Sequence, residues 1–357
     1  MTRKVGVIGA GFGTQVHVPG FRSEGWEVPA LFSRNPDRAR NAAESAGIQD
    51  VYSDAMELIA RDDLDAIAIA TPPGQHHDLA IAALKSGKHV LCEKPFALDA
   101  KQAEEMYQAA QESGLTAMVA HEFRHTPQRA FIKEQIESGY VGDFQLCNIE
   151  LFFSRGVPAE PPTMAWAHRS SEGGGYLGAI GSHYIDGLRY WFGDVKSARG
   201  DLMTVRPDVR DDATGELTEA STDDTFTFTL TFTNGGMATM TASTAFTPSR
   251  GARISVMGTE GMLYAEQAGH NPAEDGQTSG SRKGEPLQQL ETPARLMPFS
   301  DERDPRLMAF RLLVRDFNRG IEEGTSPNPN FGDAMKCQQV LDAIRESAKT
   351  GSVVSLA

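Results

Sequence analysis

The first third of the chain alternates short apolar strands with amphipathic helices, and this alternation constrains the fold more than any other feature. The strand "KVGVI" is followed by a glycine-rich turn and a helical stretch. Next come "VPALFSR", "NPDRARNAAESAG", "DAIAIATPP", "QHHDLAIAALKSGK" and "HVLCEKP", which we interpret as strand, helix, strand, helix and strand. Parallel strands need such crossover helices. The sequence therefore predicts an α/β domain in which helices cover both faces of a parallel sheet.

The turn after the first strand has the composition of a dinucleotide site. Gly9 and Gly11 match the first two glycines of the G-x-G-x-x-G template, and Thr14 stands at the third position. Phe12 lies inside the turn, and Gly13 adds backbone freedom beside Thr14. A strand, a glycine turn and a helix start leave free N–H groups and a positive dipole end, which suit a pyrophosphate. We therefore predict that this turn binds a dinucleotide.

The end of the second strand is where such folds distinguish NAD from NADP. NAD sites usually carry Asp or Glu there to hold the ribose hydroxyls. This chain has Ser33 and Arg34 instead, with Arg38 one helical turn further on. Ser can donate a hydrogen bond, and Arg can pair with a 2′-phosphate that an acid would repel. The sequence favours NADP(H), with NAD(H) as the alternative if Arg34 is only a solvated surface charge.

Four stretches together resemble one known family. "ATPPGQHHDLAIAAL", "HVLCEKPFAL", "GGGYLGAIGSHYID" and "VMGTEGML" are similar to motifs of the glucose–fructose oxidoreductase and inositol dehydrogenase (Gfo/Idh/MocA) family, over essentially the whole chain. The resemblance implies an α/β Rossmann domain over residues 1–123 and an α+β domain with an open, mostly antiparallel sheet over 124–357. It also implies a nicotinamide in the cleft between them. Family members are mostly NAD(P)-dependent dehydrogenases or reductases of sugars, cyclitols and related polyols.

The resemblance also implies roles for individual residues. Lys94, in the Glu-Lys-Pro motif, would touch the nicotinamide ribose and the substrate, and His183 closes the glycine-rich motif. Glu93 would orient Lys94 or the ribose, or else form a structural ion pair. The remaining positions form the turn that runs along the cofactor: Thr71, Pro72, Pro73 and His76.

Two positions depart from the family pattern. Members often carry an Asp four residues before the histidine, where this chain has Ala179. The family's F-N-x-R at the end of the sixth strand is replaced by a stretch that contains Glu122 and Arg124. Glu122 either replaces the missing carboxylate beside His183 or pairs with Arg124, and the sequence leaves both open.

The glycine run before His183 suggests chemistry at the imidazole. Apolar residues at helical spacing place a helix start near residue 179, with His183 in its opening turns beside the apolar stripe. Glycines there would let a substrate or nicotinamide come close. The helix dipole would lower the histidine pKa and keep a neutral base available. We expect hydride transfer at a secondary carbinol, with His183 moving the hydroxyl proton and Lys94 holding the oxygen. Trp166 and Arg169 are expected to contact the substrate, although Trp166 could equally be a core residue.

The second half predicts a sheet and two closing helices. "TFTFTLTFTNGGMATMTAS" has the pattern of a hairpin with a Phe/Leu face and a Thr face. The Phe/Leu face should pack on helices. The Thr face is either wet or a contact in a homodimer or homotetramer, as in the resembling proteins. Residues 206–222 and 266–305 are expected to be loops, and 306–322 and 332–350 helices.

Composition excludes several classes of partner. The formal net charge of −14 disfavours nucleic acid and anionic membranes, which need clustered Lys and Arg. No apolar run approaches the roughly 20 residues of a membrane span, and no secretion signal is evident. Three cysteines, far apart in the sequence, suit a reducing cytoplasm. "HEFRH" spaces His121 and His125 as in a zinc motif but at a strand end rather than on a helix, so no metal is expected.

Two other functions remain open from the sequence. Some members of the resembling family break glycosidic bonds by transient oxidation at C3, so a redox-neutral hydrolase or lyase with bound NAD is the first alternative. The second is a cofactor-binding regulator without turnover.

Overall fold

The structure, a computed structural model, describes residues 2–153, 160–245, 248–268 and 276–356. The chain divides into two compact units. The first comprises Met1–Glu122 and Asp301–Gln338, and the second comprises Phe123–Ser300 and Gln339–Ala357. The described residues form these α-helices: α1 (Val18–Ser23), α2 (Pro36–Ala46), α3 (Ala55–Ile59), α4 (His76–Lys85), α5 (Ala100–Ser113), α6 (Pro127–Glu137), α7 (Ser182–Phe192), α8 (Leu307–Glu323) and α9 (Phe331–Thr350). Within these described ranges, no helix is both long and apolar enough to cross a membrane.

The first unit is built on a parallel sheet of six strands in the order β3-β2-β1-β4-β5-β6. Its strands are β1 (Lys4–Ile8), β2 (Glu27–Phe32), β3 (Asp50–Tyr52), β4 (Ala66–Ile69), β5 (His89–Cys92) and β6 (Ala117–Val119). The strand order reverses between β1 and β4, and ligands of doubly wound sheets bind at such a point, outside the carboxyl ends of the strands. The predicted α/β class is confirmed.

Local signals set the helix ends of this unit. Asn35 caps α2 because its side-chain oxygen accepts a hydrogen bond from the backbone N–H of Arg38 at 2.9 Å. Pro36 occupies the first helical position, and Gly47 ends the helix with a φ of 61°. The helix predicted from "NPDRARNAAESAG" is therefore confirmed, and it begins directly after the tip of β2.

Helix α8 belongs to the first unit, whereas the division made from the sequence placed it with the second domain. The predicted apolar stripe exists and is fully buried; its residues are Leu307, Phe310, Leu313, Val314 and Phe317. It packs in one core with Val5, Phe21 and Trp26. Spacing along a helix shows which face is apolar but not which sheet covers it, so the sequence could not assign this helix.

The second unit contains a sheet of nine strands in the order β16-β15-β14-β13-β7-β12-β11-β8-β17. Its strands are β7 (Phe144–Phe152), β8 (Val195–Met203), β11 (Thr225–Phe232), β12 (Met237–Ser243), β13 (Gly251–Gly258), β14 (Gly261–Gln267), β15 (Gly276–Arg282), β16 (Gln288–Leu290) and β17 (Val354–Ser355). Only the β7–β12 pair among these described strands is parallel. The predicted mostly antiparallel α+β class is confirmed.

The predicted hairpin is β11 and β12, joined through Gly235 and Gly236, whose φ angles are 96° and 80°. Phe226 and Phe228 are buried on one face of β11, while Thr227 on the other face is exposed. Alternation of the two residue types therefore set the register of this strand as expected.

Two segments that we expected to be loops contain strands. Within 206–222, β9 (Asp208–Arg210) and β10 (Leu217–Glu219) form a two-stranded ribbon. Within 266–305, β14 reaches Gln267, and β15 and β16 extend the large sheet. Residues 269–275 lie outside the described residues. β15 and β16 consist mainly of Gly, Ser, Thr and Gln, and β9 and β10 are only three residues long. None of the four has the apolar alternation by which a strand is recognised.

Candidate active site

The glycine turn of the first unit has the geometry of a nucleotide cradle. Gly9 has a φ of 127°, and a Cβ there would lie 2.3 Å from the carbonyl oxygen of Ala70. A Cβ on Gly13 would lie 2.9 Å from Cγ1 of Val7. Gly13 is outside the left-handed region, so its role is close packing on β1 rather than the unusual backbone freedom that we expected. Thr14 fits the third position because its hydroxyl donates to the carbonyls of Ala10 and Gly11 at 3.1 and 3.2 Å.

The tip of β2 carries the three residues predicted to read the adenosine ribose. The guanidinium of Arg34 lies 3.0 and 3.2 Å from the side-chain oxygen of Gln75, in the amide orientation that satisfies both groups. Nη2 of Arg38 lies 2.9 Å from where a Cβ on Gly11 would stand. Ser33, which directly precedes Arg34, is half-buried. The fold therefore brings a basic side chain directly over the glycine turn.

A buried imidazole, that of His76, hydrogen-bonds to the turn after β4. His76 is fully buried, and its Nε2 lies 2.8 Å from the carbonyl oxygen of Thr71, while Nδ1 lies 3.3 Å from that of Phe96. Burial lowers the pKa of His76, despite the opposing effect of these carbonyls. The His76 ring ties this turn to the segment after β5. That the turn runs along the cofactor, with Pro72 and Pro73, stays a prediction.

Glu93 makes a buried side-chain contact with His17. Its Oε1 lies 2.9 Å from Nε2 of His17, and both side chains are buried. Burial would raise the pKa of Glu93, but the hydrogen bond and charge of His17, together with the charge of Lys94, outweigh it and lower the pKa. Lys94 itself is half-buried, and its backbone N–H donates to Oε2 of Glu93 at 3.2 Å. Glu93 therefore orients the backbone of the predicted catalytic lysine.

Glu122 is a second buried carboxyl group of the first unit. It is 5% exposed, and its Oε2 makes no hydrogen bond to any part of the chain that the structure describes. Burial and the charge of Glu93 raise the pKa of Glu122 from 4.5 to about 8, although Lys94 and Arg306 act in the opposite direction. Near neutral pH this side chain is therefore a carboxylic acid that can donate a hydrogen bond.

Two residues that interact with the glycine turn or with Glu93 were missed in the sequence analysis, namely His17 and Arg306. His17 follows Gly13 by four residues, and a polar residue in that otherwise apolar stretch was the available signal. Arg306 lies over the ring of Phe12 at 5.1 Å and is held by both oxygens of Asp304. No local pattern places Arg306 beside the glycine turn, because nearly three hundred residues separate them.

The glycine run in the second unit packs against the chain itself. A Cβ on Gly174 would lie 2.5 Å from the carbonyl oxygen of Trp166, and one on Gly175 would lie 2.3 Å from Oδ1 of Asp223. Gly175 also has a φ of 110°. We expected these glycines to admit a ligand, but here the close approach is to protein atoms. They hold the backbone that leads into α7.

His183 is the second residue of α7 and follows a π-helical turn over Leu177–Gly181. It is 2% exposed, and its imidazole stacks on the ring of Phe123 with centroids 3.7 Å apart and planes 7° from parallel. The helix is buried on nearly all sides, so His183 does not stand beside a single apolar stripe as expected. Lys94 belongs to the first unit and His183 to the second. That the two meet at one nicotinamide stays a prediction.

Protein partners hold the two arginines expected to bind substrate. Arg124 donates two hydrogen bonds to Asp186, at 2.7 and 2.6 Å, and both side chains are buried. Arg169 pairs with Asp212. Charge pairing of this kind depends on residues far apart in the chain, so no sequence pattern indicated it. Which of its two expected roles Glu122 plays stays a prediction.

Trp166 is half-buried in a short 3₁₀ turn, and the residues that follow it line a cavity of about 370 Å³ in the second unit. The cavity wall includes Ala179 and the carboxyl group of Asp223. Burial raises the pKa of Asp223, against the hydrogen bond that it accepts from the backbone N–H of Leu177 at 2.7 Å. The described wall is mostly apolar, and Asp223 is one of its polar groups.

The stretch that contains His121 and His125 forms a 3₁₀ turn over Glu122–His125, not a zinc-binding helix. Across 2–153, 160–245, 248–268 and 276–356, no group of three or more His, Cys, Asp or Glu side chains is placed to hold a metal.

Solved and curated proteins resemble the chain over its full length. A levoglucosan dehydrogenase structure with NADH and levoglucosan has a TM-score of 0.87 at 26% identity and covers 100% of both chains. The levoglucosan dehydrogenase of Pseudarthrobacter phenanthrenivorans is 29% identical over 99% of this chain and 97% of its own. An NADP⁺-dependent D-xylose 1-dehydrogenase of Haloferax volcanii is 26% identical over 98% of this chain and 99% of its own.

Two family models also match. The model described as "Oxidoreductase family, NAD-binding Rossmann fold" matches residues 3–121, and the one described as "Oxidoreductase family, C-terminal alpha/beta domain" matches residues 133–356. The matched ranges coincide with the parallel sheet of the first unit and with the large mixed sheet of the second. The chain therefore belongs to the Gfo/Idh/MocA family of oxidoreductases.

Proposed function

We propose that this enzyme is an NADP(H)-dependent dehydrogenase or reductase that transfers hydride at a secondary alcohol or ketone of a sugar or related polyol. The observation that carries the proposal is the charge arrangement around Lys94. The pKa of Glu93 is lowered despite burial, chiefly by its hydrogen bond with His17, so this carboxyl group is ionised near neutral pH. The pKa of Glu122 is raised to about 8, so this carboxyl group is neutral. A lysine with one ionised and one protonated carboxyl neighbour suits a reaction in which an oxygen changes its charge.

The first unit fits a dinucleotide. The turn at Gly9 and Gly13 leaves no room for side chains, which is what close approach of a backbone to a pyrophosphate requires. For the 2′-phosphate, Ser33 and Arg34 follow β2 where NAD sites carry an acid, and Arg38 extends over Gly11. These groups support NADP(H) over NAD(H), because a phosphate dianion gains charge-assisted hydrogen bonds from them.

Each side chain then has a defined task. Bound NADP⁺ supplies the hydride acceptor at C4 of its nicotinamide, and NADPH supplies the donor. Lys94 holds the substrate oxygen, and His183 accepts the hydroxyl proton as the C–H electron pair leaves carbon and the C=O bond forms. Glu122, as a neutral acid, donates a hydrogen bond to a second substrate oxygen. In the reductive direction, His183 returns the proton to the carbonyl oxygen.

The relatives and the cavity both support a polyhydroxylated substrate. Levoglucosan and D-xylose are the substrates named for the relatives. In the second unit, the cavity that includes Ala179 carries Thr222 and Asp223, which can pair with hydroxyl groups.

Cofactor choice is tested by calorimetry on the wild type and on S33D/R34A. NADPH should bind more tightly than NADH, and the double variant should reverse the order. Equal or tighter binding of NADH to the wild type would show that the assignment of Ser33 and Arg34 is wrong.

Activity is tested with a panel of sugars, cyclitols and keto sugars, followed at 340 nm and by product analysis. We expect an absorbance change with at least one of them, and kcat reduced about 10²-fold or more in K94A and H183A. Product without a net change at 340 nm would instead identify a redox-neutral hydrolase or lyase. Unchanged turnover in both variants would refute the mechanism.

We also propose that the Thr face of β11 and β12 is a subunit contact in a homodimer or homotetramer. Thr225 and Ser243 bond across that face at 2.8 Å, and Thr227 is exposed there. Light scattering after size exclusion should give a dimer or tetramer mass, and T227R should dissociate it. A monomeric wild type would refute this assignment.

A further inference from the structure

The second unit buries a guanidinium, that of Arg129, which pairs with no acid among the residues that the structure describes. Arg129, on α6, is 3% exposed, and its Nε, Nη1 and Nη2 make no hydrogen bond to the described residues. Burying a cation without an anion or hydrogen bonds is strongly destabilising. Arg124, only five positions earlier, shows the usual solution, since Asp186 holds its guanidinium with two hydrogen bonds. Arg129 therefore needs another reason to be there.

Aromatic rings surround this guanidinium. Its central carbon lies 4.3 Å from the ring centroid of Tyr184 and 5.1 Å from that of Phe123. Tyr184 also meets Phe123 edge-on, with centroids 6.5 Å apart and planes at 83°. Cation–π contacts are weaker than a buried ion pair, so they offset the burial cost only in part. What they do achieve is to fix the plane of Phe123.

Phe123 in turn carries the imidazole of His183. The two rings are parallel to within 7° at a centroid distance of 3.7 Å, which is van der Waals contact over the whole face. Rotation of the imidazole about χ2 would drive its edge into the Phe123 ring. The order of contact is therefore Arg129 and Tyr184, then Phe123, then His183.

We propose that Phe123 and Arg129 are positioning residues that fix the imidazole plane of His183 for proton transfer. This inference rests on the proposed function, in which His183 moves the hydroxyl proton. A misplacement of about 1 Å at a reacting group can cost about 10²-fold in rate. Burial of Arg129 lowers the stability of the fold, and in return the ring of His183 is held in one orientation.

Four variants test the proposal: F123L, F123Y, R129M and K133M. F123L removes the aromatic platform, and F123Y keeps it. R129M removes the buried charge at similar volume. Lys133 is the matched control because it is a cation on the same helix that lies 4.6 Å from the ring of Tyr190, outside the stack.

Kinetics should separate positioning from stability. We expect kcat to fall about 10–100-fold in F123L and about 10-fold in R129M, with KM and the Kd for NADPH within threefold of wild type. F123Y should recover kcat to within threefold, and K133M should leave it unchanged. Because an unpaired buried cation has been removed, R129M should melt at the same temperature as wild type or higher. A role in stability alone predicts the opposite, namely a lower Tm and unchanged kcat.

A second readout does not depend on turnover. With ¹³C-labelled histidine, the ring current of Phe123 should move the ring protons of His183 upfield, and H183Q assigns them among the nine histidines. Those signals should shift in F123L and R129M but not in K133M.

The proposal is overturned if R129M leaves the His183 signals unchanged, or if kcat in F123L and R129M stays within twofold of wild type while H183Q abolishes turnover. Full turnover in H183Q would instead refute the proposed function. In that case the labelled signals still show whether Arg129 and Phe123 fix the ring.

Discussion

Replacement of Glu122 by Gln should make the protein more stable at alkaline pH and leave it unchanged in acid. The pKa of this buried carboxyl is raised from 4.5 to about 8 by burial and by the charge of Glu93. Below pH 4.5 both the folded and the unfolded chain carry the proton. Between pH 4.5 and 8 only the folded chain holds it, so the free energy of unfolding falls as pH rises, by about 1.4 kcal/mol per pH unit.

Across that whole interval, the wild type loses about 5 kcal/mol relative to a chain without the titrating group. Gln keeps the size and hydrogen-bonding capacity of the protonated acid but does not ionise. The stability difference between E122Q and wild type should therefore be near zero at pH 4.5, rise through pH 7 and level off above pH 8.

The assay is urea unfolding followed by tryptophan fluorescence, at pH 4.5, 6, 7, 8 and 9. E302Q is the control because Glu302 is exposed in a loop of the same unit. Its difference from wild type should stay within about 0.5 kcal/mol at every pH. A constant difference for E122Q across the range, or a ¹³C titration of Glu122 centred near 4.5, would refute the reasoning.

Other predictions concern the glycine turn and the buried pairs. G9A should destabilise the protein by about 3 kcal/mol or more, because it adds backbone strain at a positive φ to an overlap with the Ala70 carbonyl. G215A has the backbone strain alone, since nothing lies within 4 Å of the added Cβ, and should cost only about 1 kcal/mol. Thermal melts of the two variants test the difference. D186N should cost about 3–5 kcal/mol by leaving the buried Arg124 without its anion, and a loss below 1 kcal/mol in urea unfolding would contradict the pairing. Because the pKa of Glu93 is lowered, its carboxylate stabilises the fold above pH 4.5. That contribution is lost as pH falls through the folded pKa, so the Tm advantage of wild type over E93Q should shrink below pH 4.5.

Features encoded within a few residues could be predicted from the sequence. The strand and helix alternation gave the parallel sheet, and Asn35 and Gly47 gave the ends of α2. Phe/Thr alternation with Asn-Gly-Gly gave the hairpin of β11 and β12. Each depends on neighbouring residues that share one backbone conformation. The strands β9, β10, β15 and β16 were missed because polar residues form them, and only their pairing partners show that they are strands.

The candidate site could be predicted as a set of residues but not as a set of contacts. Glu-Lys-Pro and the histidine after the glycine run pointed to Lys94 and His183. Which charges are paired was decided by the fold: His17 holds Glu93, and Asp186 holds Arg124. The two members of such a pair are separated by dozens of residues in the sequence, so no local pattern shows that they meet. The strength of the interaction depends on burial, which has no local signature either.

The sequence by itself therefore determined the architecture, the nucleotide turn and the identity of the candidate groups, because local periodicity and motif chemistry carry that information. Only the tertiary structure decided that α8 completes the first core, that Glu122 is held as a neutral acid, and that His183 lies flat on Phe123. Those properties arise from the packing of segments far apart in the chain, where dehydration and contact, rather than residue type, set the protonation state and orientation of a side chain.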